Sequence, residues 1–155
     1  MTALELKRIG HAYFGRTVLD HIDLDVNSAE IVALVGPSSC GKSTLIHIAA
    51  GIVTSRYGRV NRNYHRHGMI FQEPRLLPWA TANDNIGYPL RIAGQGRKAR
   101  DEAVKRAAMR VAFDPADLDK YPSELSGGMQ QRVAIARALV HRTGFSVLRR
   151  AFYGA

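Results

Sequence analysis

The chain has 155 residues and a formal charge of +9, from 22 Lys and Arg against 13 Asp and Glu. That length suits one domain with a substantial core and leaves little room for a second. The basic residues are scattered and interleaved with acids as far as Glu124, without a helix-turn-helix, zinc-finger or aromatic-basic pattern, so no nucleic-acid partner is expected.

In chain order, Leu4, Leu6 and Ile9 alternate imperfectly with polar residues, while Ile22, Leu24 and Val26 alternate cleanly. Both segments predict half-buried strands. After the turn-like Asn27–Glu30, the unbroken apolar run Ile31–Val35 predicts a strand buried on both faces of a parallel sheet. Lys42 to Ala50 predicts a helix packed through Leu45, Ile48 and Ala49 and stopped at Gly51. Thr54 to Arg66 is polar and carries no period. A short strand is expected over Gly68–Phe71, and Leu76–Trp79 is expected to be an apolar loop because Pro78 opposes regular structure. Arg97 to Phe113 predicts a charged helix with Ala99, Ala103, Val104, Ala107, Ala108 and Val111 on its apolar side. Met129 to His141 predicts another helix, packed through Val133, Ala136, Leu139 and Val140, and Phe145–Leu148 a brief strand.

Cys40 is the single cysteine, so no internal disulfide forms, which fits a reducing compartment. Met1 to Arg8 lacks the apolar core of a signal peptide, and no stretch approaches 18 apolar residues. The chain is therefore not expected to span a membrane by itself, although a partner could hold it there.

Between the apolar run and the first helix lies Gly36–Pro37–Ser38–Ser39–Cys40–Gly41–Lys42–Ser43–Thr44, a G-x-x-x-x-G-K-[ST] pattern in a strand-to-helix setting. Glycines let backbone N–H groups turn inward, and a helix N-terminus adds unpaired donors and a favourable dipole. Lys42 is expected to reach the β- and γ-phosphates of a nucleoside triphosphate, Ser43 to donate its hydroxyl to Mg²⁺, and Thr44 to cap or pack the first turn. Tyr13 and Phe14 are the aromatic candidates for stacking on the base, with plain strand or core residues as the alternative. Gln72 is a candidate ligand for Mg²⁺ or water, though a single Gln is uninformative.

Leu125–Ser126–Gly127–Gly128–Met129–Gln130–Gln131–Arg132 presents a serine and two glycines directly before a helix. It reads either as a second anion site, serving a nucleotide held by another copy, or as a serine cap with a glycine hinge.

These segments together resemble the ATP-binding subunit of ABC transporters, and among them the nitrate, sulfonate and taurine class of importers. The resemblance is carried by Tyr13 through Leu24, GPSSCGKST at 36–44, FQEPRLLPW at 71–79 and YPSELSGGMQQRVAIARALVHR at 121–142. It implies an α/β fold: a P-loop NTPase (RecA-like) core with an antiparallel β subdomain and a helical subdomain, the C-terminal part of the core missing. The implied division is a β subdomain and phosphate-loop core over 1–80, a helical signature subdomain over 81–142 and a degenerate or truncated tail over 143–155. Implied roles follow residue by residue. Tyr13 resembles the adenine-stacking aromatic, Lys42 and Ser43 the phosphate and Mg²⁺ contacts, and Gln72 the glutamine that senses the γ-phosphate. Ser126, Gly127, Gly128 and Gln130 lie in the signature that closes over ATP on an opposite subunit. The implied cofactors are ATP and Mg²⁺. The implied partners are permease subunits, faced by the stretch from Gln72 to Trp79, and a second ATP-binding subunit. The implied location is peripheral, on the cytoplasmic face of the cell membrane.

There are departures from the family pattern. Ser39 stands where this class usually has glycine, and Ala29 where glycine usually precedes Glu30. Met129 occupies the fifth signature position, where glutamine is frequent. Register carried forward from Arg142 puts Arg149 and Arg150 where the family has the Mg²⁺-binding Asp and the water-polarising Glu, and residues 125–155 contain no Asp or Glu. Two cations there would repel Mg²⁺. ATP binding is accordingly expected, hydrolysis by this chain alone is not, and no catalytic residue is assigned. A non-catalytic remnant or regulatory partner of a complete subunit is the alternative. A truncated, aggregation-prone relative is the expected physical state.

Overall fold

The computed structural model describes residues 1–64, 67–71, 73–141 and 145–148. The chain divides into two compact units, 1–67 and 68–155.

The first unit is built on a three-stranded antiparallel sheet in the order β2-β1-β3, with β1 at Thr2–Tyr13, β2 at Arg16–Asn27 and β3 at Tyr57–Arg62. Phe14 and Gly15 join β1 to β2, both at positive φ (48° and 81°), as a two-residue hairpin turn matched to strand twist requires. The imperfect alternation in β1 has a local cause: Arg8 sits at φ 49° where the pairing register shifts between Leu6 and Ile9. The extra residue returns Ile9 to the face already used by Leu4 and Leu6, and all three are at most 1% exposed.

Helix α1, Lys42–Ala49, buries Leu45, Ile48 and Ala49 as its spacing predicted. The periodless stretch after Thr54 proves to contain β3 and a cap for this helix. The Arg62 guanidinium donates to the carbonyls of Ile48 and Ala49, and the Tyr64 hydroxyl donates to Ala49 O at 2.7 Å. Cation and hydroxyl thus satisfy carbonyls that the last helical turn leaves open, at the negative end of the helix dipole. Burial raises the pKa of the Tyr64 hydroxyl, with Arg62 opposing it.

The strand expected over Ile31–Val35 is not formed. Those residues are extended coil, with Ile31 96% and Val35 92% exposed. Their composition suits an inner strand, but a strand buried on both faces needs hydrogen-bonded neighbours. Among the described residues no strand pairs with 31–35, and the sheet of this unit consists of β1, β2 and β3 alone.

The second unit contains all but the first residue of β4 (His67–Ile70), which pairs with β5 (Phe145–Leu148), and helices α2 (Ala82–Ile92), α3 (Arg97–Arg110) and α4 (Gly127–Leu139). Both strands were legible from sequence. Helix α2 is an addition to the sequence reading; its signal was Thr81, whose hydroxyl accepts from Asp84 N at 3.2 Å as an N-cap. Helix α3 ends at Arg110, three residues short of the predicted Phe113, because Ala112 turns to φ 52° and leaves the helix. Ala99, assigned to its apolar side, is exposed: it lies in the first turn, ahead of the packed positions Val104, Ala107 and Ala108. Ile86, Val104, Phe113 and Val133 form the centre of a core in which each contributes about 1.5–3 kcal/mol of burial.

Asn85, fully buried on α2, shapes the loop that follows β4. It accepts from Leu77 N at 2.8 Å and donates to the carbonyls of Leu77, Ala80 and Thr81 at 3.0–3.1 Å. From α4, the Arg137 guanidinium donates to Pro74 O at 2.9 Å and Arg75 O at 3.0 Å. Burial lowers the pKa of Arg137. No helix among the described residues is long and apolar enough to cross a membrane.

Candidate nucleotide site

The loop at 36–44 combines the features that hold an anion. Gly36, Ser39 and Gly41 all have positive φ (155°, 66° and 92°), which folds the backbone back over the start of α1. Gly41 has a second reason to be glycine: a Cβ there would lie 2.8 Å from Val18 O and from Leu19 Cδ2. Helix α1 begins without a side-chain cap and without an acid in its first turn. Its first N–H groups and its dipole are therefore available to a negative group.

Lys42 is the cation of the loop. Its ammonium donates to Gly36 O at 2.7 Å, to Pro37 O, and to Cys40 Sγ at 3.3 Å. It spans the mouth of the loop and holds it closed through the loop's own carbonyls. Phosphate oxygens are stronger acceptors for an ammonium than peptide carbonyls, so an incoming phosphate would replace these contacts at little cost. Ser43 follows on the first turn and Thr44 is buried beneath it. Cys40 is exposed.

The donors fit a phosphate group. They fit Mg²⁺ only as the companion of one, because Ser43 offers a single oxygen and the described residues hold no cluster of three metal-ligating side chains. Gln72, the other predicted ligand, lies outside the described residues, as do Arg149 and Arg150.

Tyr13 ends β1 with 41% of its surface exposed, beside the hairpin turn, and its ring meets that of His11. Phe14, the other aromatic candidate, is wholly exposed at the turn.

Ser126 is the N-cap of α4, its hydroxyl accepting from Met129 N at 3.3 Å. Gln130 turns back along the chain and donates to Pro122 O at 2.9 Å and Leu125 O at 3.2 Å. The serine and glutamine side chains thus brace the start of α4, while Gly127 and Gly128 add backbone there with open space at their Cβ positions. Tyr13 and the loop at 36–44 lie in the first unit, and Ser126 to Gln130 in the second.

A family model described as ABC transporter matches residues 19–148, which include the phosphate loop and the 126–130 segment. The chain belongs to the ABC transporter family. Its ABC relatives include the aliphatic sulfonates import ATP-binding protein SsuB 1 of Pseudomonas savastanoi pv. phaseolicola, 44% identical over 83% of this chain and 52% of the relative. SsuB of Bacillus licheniformis is 42% identical over 86% of this chain and 54% of its own length. The chain spans about half the length of the curated relatives it matches. Among solved ABC structures, the dimeric bacterial cassette MJ0796 superposes with a TM-score of 0.86 at 27% identity, covering 94% of this chain and 72% of that one. A post-hydrolysis form of the same cassette, bound to ADP and Pi, gives 0.85 at 26% identity with the same coverage. The expected fold class is borne out: an ABC ATPase cassette of the P-loop NTPase class, mixed α/β, with a small antiparallel sheet and helices.

Proposed function

We propose that this chain binds ATP as the energy-coupling subunit of an ABC importer for aliphatic sulfonates or similar small anions. The observation that carries the reading is the uncapped, acid-free start of α1 with the Lys42 ammonium across the loop mouth, within a chain 44% identical to a sulfonate-import ATP-binding protein. Gly36 to Thr44 cradle the phosphates, Lys42 takes the charge of the β- and γ-groups, and Tyr13 stacks on the adenine. Ser43 and Gln72 would hold a Mg²⁺ ion, which would neutralise phosphate oxygens. Ser126, Gly127, Gly128 and Gln130 close over ATP held by a second ATP-binding subunit. The 73–79 loop, held by Asn85 and Arg137, faces the permease and leaves Trp79 74% exposed. The chain works peripherally, on the cytoplasmic side of the membrane. A β subdomain with the phosphate-loop core takes residues 1–80, a helical signature subdomain 81–142 and a short tail 143–155.

Binding without turnover is the form this activity takes here, because register carried forward from Arg142 puts Arg149 and Arg150 where the family has the Mg²⁺-binding Asp and the water-polarising Glu. The same observation favours a second reading, a regulatory nucleotide-binding partner of a complete subunit. Calorimetric titration with ATP and a phosphate-release assay test the first reading: uptake of ATP without phosphate release is expected. Steady release that Lys42→Ala abolishes would overturn binding without turnover. Co-purification with a complete ATP-binding subunit, dependent on ATP, would select the second reading.

A further inference from the structure

His11 stands on β1 two residues before Tyr13, opposite Leu19 of β2. The His11 and Tyr13 rings meet edge to face, with centroids 4.6 Å apart and an interplanar angle of 70°. Nδ1 of His11 is buried and has no hydrogen-bond partner. Buried polar atoms are seldom left in that state, so an imidazole that accepts it is held by packing and not by a hydrogen bond at Nδ1. The ring contact that His11 makes is the edge-to-face one with Tyr13.

Tyr13 needs such support. It is the last residue of its strand, 41% exposed, and its chain neighbours Phe14 and Gly15 form the turn. A terminal aromatic ring that rotates freely loses that freedom when a flat ligand stacks on it, whereas a ring already braced along one side does not. Edge-to-face pairing supplies the brace without covering the ring as a face-to-face partner would.

We propose that His11 is a positioning residue that presents the Tyr13 ring to the adenine of the nucleotide. The proposal rests on the reading of Tyr13 as the base-stacking aromatic. It concerns the ring of His11 and not its proton, so a phenyl ring should serve at least as well and would remove the unpaired nitrogen.

The test titrates the full chain and three variants with ATP and with inorganic tripolyphosphate, which engages the phosphate loop but has no base. His11→Ala is expected to weaken ATP about two- to tenfold, the range of an aromatic pair, and to leave tripolyphosphate unchanged. His11→Phe is expected to retain the affinity for ATP, and Tyr13→Ala to lose at least as much as His11→Ala. If Tyr13→Ala weakens ATP while His11→Ala does not, stacking stands and the role of His11 is overturned. If Tyr13→Ala leaves ATP binding intact, or the unaltered chain binds ATP no better than tripolyphosphate, the stacking reading and the proposal fall together. Equal weakening of both ligands by His11→Ala, or failure of His11→Phe to retain ATP, would also overturn it, since a brace for the base leaves the phosphate loop untouched.

Discussion

The Lys42 ammonium donates to the carbonyl oxygen of Gly36 at 2.7 Å, so the cation that would meet phosphate also ties the first residue of its loop to the first turn of α1. Replacing Lys42 with Ala removes both the tie and the charge. Calorimetry on K42A should show ATP affinity falling by at least tenfold, a loss of about 1.4 kcal/mol or more. The exposed tie itself contributes little, so thermal stability should move by less than about 1 kcal/mol.

Ala29 at φ 62° and Ser39 at φ 66° sit in the left-handed region outside the strands of the first unit. A side chain there costs about 1 kcal/mol, and part of that is returned as glycine's larger unfolded-state entropy. Ala29→Gly and Ser39→Gly should each be neutral to stabilising, by up to about 1 kcal/mol in chemical denaturation. An alanine placed at Gly41 should instead destabilise, because its Cβ would meet Val18 O as well as the positive φ.

Asn85 is fully buried and makes four hydrogen bonds to the loop ahead of α2. Asn85→Leu leaves three carbonyls and one N–H without that partner. A destabilisation of about 2–4 kcal/mol is expected. The fluorescence of Trp79, the single tryptophan, would report loosening of the same loop.

Ile31 and Val35 are almost fully exposed in one short segment. Apolar residues displayed this way favour self-association. Sedimentation should find concentration-dependent association in the unaltered chain. The Ile31→Asp, Val35→Asp double variant should lower it while leaving the unfolding midpoint nearly unchanged, since neither side chain is packed.

Acid should weaken the first unit through Asp20. The hydroxyl of Tyr57 first, and His21 second, lower the pKa of this carboxylate. A depressed pKa gives a contribution that is complete above the ordinary carboxylate value and is lost as pH falls through the depressed one. The denaturation midpoint of the unaltered chain should therefore drop on acidification below about pH 4, and Asp20→Asn should remove that part of the drop.

The start of α1 was legible because its signal is local: the helix begins at Lys42, directly after Gly41, as the spacing predicted, although the strand expected before the loop is not formed. The helical periods of α1 and α4 were equally readable, since one face of each meets a core. Long-range partners decided the remainder. Ile31–Val35 has the composition of a buried strand, yet composition cannot supply a neighbouring strand, and among the described residues none pairs with it. The polar stretch containing Tyr57–Arg62 looked patternless because its order comes from pairing with β1 and from Arg62 reaching carbonyls 13 and 14 residues back in sequence. His11 and Tyr13 are i, i+2 neighbours that a strand places on one face, but the angle at which their rings meet appears only in the structure. By itself, then, the sequence determined which residues could hold a phosphate; tertiary structure decided which segments are paired and which apolar run is exposed, because those depend on contacts between residues far apart in the chain.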